Sequence, residues 1–459
     1  RGALFMEKRE KLGSRLGFIL LSAGCAIGIG NVWRFPYITG LYGGGAFVLI
    51  YLFFLVVMGM PVMTMEFAVG RASKKSIAKS YTALEKPGQK WHIHSYFAIA
   101  GNYLLMMFYT TVTGWMLHYF YLMLTGQFAG KAVDEVSAIF SGMLSQPLVM
   151  GGWMIFVVLA GFGICSMGLQ RGVEKVTKVM MVSLMVIMII LAINSIITPG
   201  SAEGLKFYLL PDFNRMVEVG VWPTIVAAMN QSFFTLSLGI GAMAIFGSYI
   251  GREHALLGES LRIGVLDTCV AIVAGLIIFP ACFAFGIEPD SGPNLIFITL
   301  PNMFNNMPAG RIWGALFFIF MAFAAFSTVL AVFENIISSS MDMFNCSRKK
   351  ACAVNIVLII ILSLPCVLGF NVLSSIQPLG EGSTIMDFED FLVSNLLLPL
   401  GSLVYLVFCV SRYGWGWDNY IKEANTGSGA KIPKWCRFYL TFIVPLLILI
   451  VFFQGIFKF

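Results

Sequence analysis

The chain of 459 residues predicts an all-α membrane protein of one polytopic domain. The expected architecture is eleven transmembrane helices, the first ten forming a 5+5 inverted repeat in which helices 1 and 6 are broken at mid-membrane. Three observations predict it. The composition is 58% hydrophobic and 12% charged, with a mean hydropathy of +0.84, and a water-soluble protein of this length needs several times more surface charge. Eleven segments reach the roughly 20 apolar residues that a span requires. Two of these segments, five apart, carry glycine and polar residues at their centres.

In order, the segments are 15–40, 45–70, 93–125, 149–169, 174–198, 222–250, 257–287, 311–342, 352–371, 388–411 and 438–457. The first contains GCAIGIGNVWRFP at positions 24–36. Unpaired backbone groups in hydrocarbon cost several kcal/mol each, so lipid-facing spans must be helical. An irregular stretch at that depth survives only inside protein or against a cavity, where its freed amides and carbonyls can bind a solute and coupling ions. The sixth segment repeats the anomaly as NQSFFTLSLGIG at 230–241. Five spans per unit give the two halves (about 15–198 and 222–411) opposite orientations, which places a site between them. The eleventh segment, 438–457, lies outside the repeat.

Short loops leave no room for a soluble module. With the N-terminus inside, the inner segments hold 24 of the 30 Lys and Arg, including Lys8, Arg9, Lys11, Arg15, Arg71, Lys74, Lys75, Lys79, Arg348, Lys349 and Lys350. The outer segments hold Lys131, Lys206, Arg215, Arg311 and Lys458, with Arg34 inside the first break. This follows the positive-inside rule, so the net charge of +7 is a topology signal and nucleic acid is not expected as a partner. The expected location is the cell inner (plasma) membrane, with the N-terminus cytoplasmic and the C-terminus outside. Met6 reads as a natural start, with residues 1–5 extraneous, and no cleavable signal peptide is expected. Nine cysteines without a CxxC pair support neither a disulfide framework nor a metal site. His92 and His94 lack further ligands, and the sequon at Asn345 falls inside. No nucleophile–base set suggests an enzyme. The residues alone leave two readings open, a secondary transporter and a solute-binding sensor or channel of the same fold.

The strings RLGFILLSAGCAIGIGNVWRFP, GGGAF, EFAVGR, QSFFTLSLGIG and AAFSTVLAVFE resemble the neurotransmitter:sodium symporter family, most closely its bacterial amino-acid branch with the leucine-transporter fold. The resemblance runs from about Arg9 to the tenth segment. It implies a sodium-coupled symporter of neutral, hydrophobic L-amino acids, with room for aromatic ones, working by alternating access. Gly28 and Gly30 would offer amides to the substrate carboxylate. Monoamine carriers place an aspartate where this chain has Gly28, which argues for a substrate with its own carboxylate. Tyr109 matches a tyrosine that holds that carboxylate; read alone, it is an interior aromatic.

Two sodium ions are implied, both bound by oxygen. The first site takes Ala26, Asn31, Thr235, the substrate carboxylate and Asp267, where the family more often has asparagine. The second takes the carbonyls of Gly24, Ile27 and Ala324 and the hydroxyls of Ser327 and Thr328. Those two hydroxyls also suit bonds to their own helix. Chloride-dependent relatives carry a serine where this chain has Ala271, while Tyr51, Gln231 and Thr235 remain. A fixed carboxylate at 267 is therefore expected to make chloride dispensable. An ionisable group within a span is a functional candidate by default.

Arg34 and Asp387 fit an outer gate, with Asp390 as the alternative acid in DFEDF and Phe234 as a lid. Arg9 and Asp342 fit an inner gate, with Ser248 and Tyr249 nearby. The side-chain pocket is expected from Cys25, Leu105, Phe234, Ser237, Ile240, Thr328 and Val332, with Ile240 replacing a family phenylalanine. Val182 stands where relatives often have a proline that helps unwind segment 5. Glu66 matches the family without a firm role, and Glu334 has none. Oligomeric state is not legible.

Overall fold

The computed structural model describes residues 9–289 and 294–457, all α-helices, π-turns and loops apart from one isolated bridge. Met6, Lys8, Lys458 and residues 1–5 lie outside the described residues. Long apolar runs become helices because only intrasegment hydrogen bonds satisfy the backbone in lipid. Helix α1 (Arg15–Ala26) starts at Ser14, whose hydroxyl accepts from the Gly17 amide at 3.0 Å. It stops where Ile27 turns extended (φ −76°, ψ 108°). Helix α2 (Gly30–Leu41) restarts with a π-turn over Gly30–Arg34, and the two arms are bent by 53°.

The chain continues through α3 (Gly45–Ser73), α4 (Ile93–Leu124), α5 (Pro147–Ser166) and α6 (Leu169–Ile197). Then come α7 (Val221–Thr235) and the short α8 (Ala242–Ser248), separated by non-helical residues 236–241. Helices α9 (Leu256–Ala284), α10 (Gly310–Phe344), α11 (Arg348–Leu368), α12 (Ile385–Val410), α13 (Trp417–Ala424) and α14 (Cys436–Phe457) follow, and shorter helices at Ile77–Leu84, Val133–Leu144, Ala202–Leu209, Phe213–Val219 and Leu300–Asn306 lie in the connections.

Among the described residues, eight helices are long and apolar enough to cross a membrane, or nine if the bent α1–α2 pair is one span. The sequence reading of eleven also included 93–125 and 222–250. The first is α4, which spans 32 residues but carries Asn, His, Thr and Tyr side chains. The second is the α7–α8 pair, each arm too short alone. Helix α10 forms the centre, packed along α4 and against α1, α5 and α6, while α8 packs on α3 and α14 lies against α12. Val182 sits exposed on α6, which runs without interruption from Lys175 to Ile197 after a π-turn at Leu169–Glu174. Without proline at 182, nothing there removes a ladder hydrogen bond.

Candidate functional site

Both breaks are held open by side chains from other helices. In the first, the Ile29 amide donates to the Tyr109 hydroxyl at 2.7 Å, and the Gly28 amide donates to Asn31 Oδ1 at 3.2 Å. Gly28 was expected to offer that amide to a carboxylate; here Asn31 takes it. A Cβ on Gly28 would come within 2.0 Å of the Tyr109 hydroxyl oxygen and 2.4 Å of Thr328 Oγ1, so the position is closed to side chains as packed here. In the second break, Ser237 (φ 51°), Gly239 (φ 97°) and Gly241 (φ 78°) adopt left-handed backbone. Gly239 presses on α12, where a Cβ would meet the Leu398 carbonyl oxygen at 2.4 Å. The Gly241 amide donates to Glu66 Oε1 at 3.0 Å. Glu66, left without a role by the sequence, thus braces the unwound part of the α7–α8 pair.

Between the breaks lies a small cavity lined by Ala26, Gly30, Leu105, Tyr109, Phe234, Ser237, Thr328 and Leu398. Its floor is apolar and no lining residue is charged. Leu398 was missed because its contact with the site depends on α12 packing over residue 239. Ile240 does not line the cavity: it is buried against Gly101, and its carbonyl accepts from Asn102 Nδ2 at 2.8 Å. Gly101 precedes the lining residue Leu105 by one turn of α4, so Ile240 packs next to the lining and not within it. Cys25 and Val332 are also fully buried outside the lining, although the Cys25 carbonyl accepts from Thr328 Oγ1 at 3.0 Å.

Beside the cavity, Asn31, Thr235 and Asp267 meet in the buried interior. Asn31 Nδ2 donates to the Asp267 carbonyl at 2.8 Å and to its Oδ1 at 2.9 Å. Thr235 Oγ1 lies 3.0 Å from Asp267 Oδ2 and 3.5 Å from Asn31 Oδ1. Gln231 Nε2 donates to the Gly30 carbonyl at 2.8 Å, tying the two breaks together. The oxygens gathered here belong to a hydroxyl, an amide and a carboxylate, a hard donor set that fits sodium.

A second cluster joins α1 to α10. Ser327 Oγ lies 2.9, 3.0 and 2.8 Å from the carbonyl oxygens of Gly24, Ile27 and Ala324. Thr328 Oγ1 lies 3.2, 3.0 and 3.0 Å from those of Gly24, Cys25 and Ile27. Each hydroxyl has one proton to donate. Two protons cannot satisfy this many converging lone pairs, and a monovalent cation can. Among the described residues no three His, Cys, Asp or Glu side chains converge on a metal position.

On one side of the cavity, Arg34 lies over the Phe234 ring, 4.3 Å from its centroid, and 3.7 Å from Asp390. Ser394 bridges them, accepting from Arg34 at 3.2 Å and donating to Asp390 at 2.8 Å. The expected Arg34–Asp387 pair is not formed. Asp387 instead completes a capping box with Thr384 at the start of α12. On the other side, Arg9 meets Asp342 at 2.9 Å and Ser248 at 3.1 Å, with its guanidinium 5.1 Å from the Tyr249 ring centroid. Glu334 is buried there, paired with Arg348 at 2.7 Å and accepting from the Tyr249 hydroxyl at 2.6 Å. Glu10 also reaches Arg348, at 2.8 Å. Glu174 takes the Gly13 amide at 2.9 Å, and Arg15 meets Glu259 at 2.5 Å. Segment 9–15 is therefore laid across the ends of several helices, a network that sequence proximity does not reveal.

The sequence model for the sodium:neurotransmitter symporter family matches residues 9–138 and 135–459. The sodium-dependent transporter YhdH of Bacillus subtilis is 33% identical over 449 residues, covering 97% of this chain and 97% of that one. The sodium- and chloride-dependent taurine transporter of Bos taurus is 24% identical over 489 residues, covering 96% of this chain and 77% of that one. The crystal structure of MhsT in complex with L-phenylalanine aligns with a TM-score of 0.87 and 36% identity, covering 98% of this chain and all of MhsT. The interrupted helices, the hard-oxygen clusters and these full-length matches agree on a sodium-dependent membrane transporter with no enzymatic chemistry. The chain belongs to the sodium:neurotransmitter symporter family.

Proposed function

We propose that the chain is a sodium-coupled symporter of neutral, hydrophobic L-amino acids, admitting aromatic ones. The observation that carries the proposal is the uncharged cavity bounded by two unwound backbones and Tyr109, with an oxygen cluster directly beside it. The substrate carboxylate would sit near Gly30 and Tyr109, and the apolar side chain against Leu105, Phe234 and Leu398. MhsT binds L-phenylalanine in a chain 36% identical to this one, which supports an aromatic-tolerant pocket. Gly28, closed to side chains, leaves no place for the aspartate of monoamine carriers.

Two sodium ions fit the two clusters: Ala26, Asn31, Thr235 and Asp267 in one, and Gly24, Ile27, Ala324, Ser327 and Thr328 in the other. Bound there, the ions supply positive charge that holds the substrate carboxylate and joins α1 to α10. Asp267 brings a carboxylate to the first cluster that is ionised while sodium is bound there, so chloride is dispensable. Arg34, Asp390 and Phe234 close the route from outside, and Arg9, Asp342, Ser248 and Tyr249 close the route inward. Alternate opening of these layers moves substrate.

The same reading takes α4 and the α7–α8 pair as spans. That gives eleven spans, a 5+5 inverted repeat, a cytoplasmic N-terminus and an outer C-terminus in the cell inner (plasma) membrane. A scintillation binding screen of the twenty amino acids, with and without sodium, tests the substrate class. Uptake into proteoliposomes under a sodium gradient then tests transport; binding without gradient-driven uptake would mean a sensor.

A further inference from the structure

We propose that Glu389 is a proton-binding site built into the outer gate: closure takes up one proton from the outside medium, and opening returns it. The proposal rests on the gating role assigned above to Arg34 and Asp390. Glu389 lies on α12 between Asp387, which caps the helix, and Asp390, which meets Arg34. It is 3% exposed, and neither carboxylate oxygen has a hydrogen-bond partner. The other buried carboxylates among the described residues all hold a donor or a cation, from the Gly241 amide on Glu66 to Arg348 on Glu334.

The surroundings offer Glu389 no compensation. From α4 comes Thr111, whose buried hydroxyl turns to the Cys366 thiol of α11. From α11 comes Cys366, close enough to feel the charges of Glu389 and Asp387. Cys366 is the titratable group from a neighbouring helix, Asp387 and Asp390 are those of its own helix, and Arg34, the cation of the gate, is engaged with Asp390. Packing is tight where α11 ends on the start of α12: a Cβ on Gly369 would come within 3.0 Å of Ile385.

An ionised carboxylate buried without a partner costs several kcal/mol. A neutral carboxylic acid removes that charge. When α12 moves away from α4 and α11, water reaches the carboxyl, and a hydrated glutamate is ionised at neutral pH. The sign follows. The closed gate holds one more proton than the open gate, so closure weakens as external pH rises, by up to about tenfold per pH unit. Sodium-dependent substrate affinity, which includes closure, falls with it.

The test uses the full chain in proteoliposomes, as wild type, Glu389→Gln and Glu389→Met. Infrared spectra in sodium at neutral pH should show a protonated carboxylic-acid C=O band in wild type that both variants lack and that disappears at alkaline pH. Sodium-dependent leucine binding should weaken with rising pH in wild type and be flatter in Glu389→Gln by up to tenfold per unit. An unchanged carboxylic-acid spectrum in both variants, or identical pH profiles in wild type and Glu389→Gln, would overturn the proposal. If wild type binds no amino acid at any pH, the substrate reading fails, and the infrared measurement still decides the proton site.

Discussion

Thr328→Ala tests the second cation cluster most directly. Thr328 Oγ1 sits 3.0–3.2 Å from three carbonyl oxygens that belong to the end of α1, and Ser327 Oγ covers the other side. Removing the hydroxyl deletes one of five oxygen ligands and leaves the carbonyls facing each other. A hydrogen-bonding group that acts on a charge contributes about 1.5–3 kcal/mol, and 1.4 kcal/mol is a factor of about ten. Apparent sodium affinity should therefore fall roughly 10- to 150-fold. The lost methyl adds only about 0.8 kcal/mol of destabilisation, which a thermal unfolding curve without sodium measures separately. The assay is sodium titration of amino-acid binding by scintillation proximity, with Thr328→Ser as the rescue because it keeps the hydroxyl. An affinity within twofold of wild type in Thr328→Ala would refute the cluster as a cation site. So would equal losses in Thr328→Ala and Thr328→Ser.

Four further outcomes are expected. Wild-type uptake should persist when gluconate replaces chloride, because Asp267 supplies the negative charge; Asp267→Asn should lower sodium affinity, and adding Ala271→Ser should introduce chloride dependence. Loss of wild-type transport in gluconate would show that Tyr51, Gln231 and Thr235 still hold chloride. Gly28→Ala should abolish sodium-dependent binding, since its Cβ meets Tyr109 and Thr328 at 2.0 and 2.4 Å; near-normal binding in the same screen would contradict the packing. Arg9→Ala should loosen the inner closure by removing bonds to both Asp342 and Ser248, read as faster thiol labelling from the cytoplasmic side, with Asp342→Ala producing a similar change. Lys74, at the end of α3, is pushed down from 10.5 to about 8 by burial, with Arg252 and Arg71 adding to it. The folded state thus binds fewer protons between those values, so stability should rise with pH across that window and be lost on the acidic side of it; Lys74→Met should flatten the unfolding profile there.

What the sequence determined by itself is the material of the site. Glycines and polar residues at the centre of an apolar run cannot face lipid, so GCAIGIGNVWRFP and NQSFFTLSLGIG had to be interior breaks. The gathering of Asn31, Thr235 and Asp267, and of Gly24, Ile27, Ser327 and Thr328, then follows those breaks. The choice between Asp387 and Asp390 was also legible in principle. Thr384-Ile-Met-Asp387 has the spacing of a capping box, which commits the earlier acid to its own helix start and frees Asp390 for Arg34. Other features had no local signal. Glu66 acquires a role only when α3 lies beside the Gly241 amide, and Glu334 only when Arg348 folds back across the break between α10 and α11. Ile240 reads as a pocket residue along the sequence, yet it packs on Gly101, one turn of α4 from the lining residue Leu105. Hydrophobic pattern and glycine placement act within one segment and can be read along the chain. Which buried carboxylate meets a donor, and which, like Glu389, meets none, depends on how separate helices pack, and only the tertiary structure decides it.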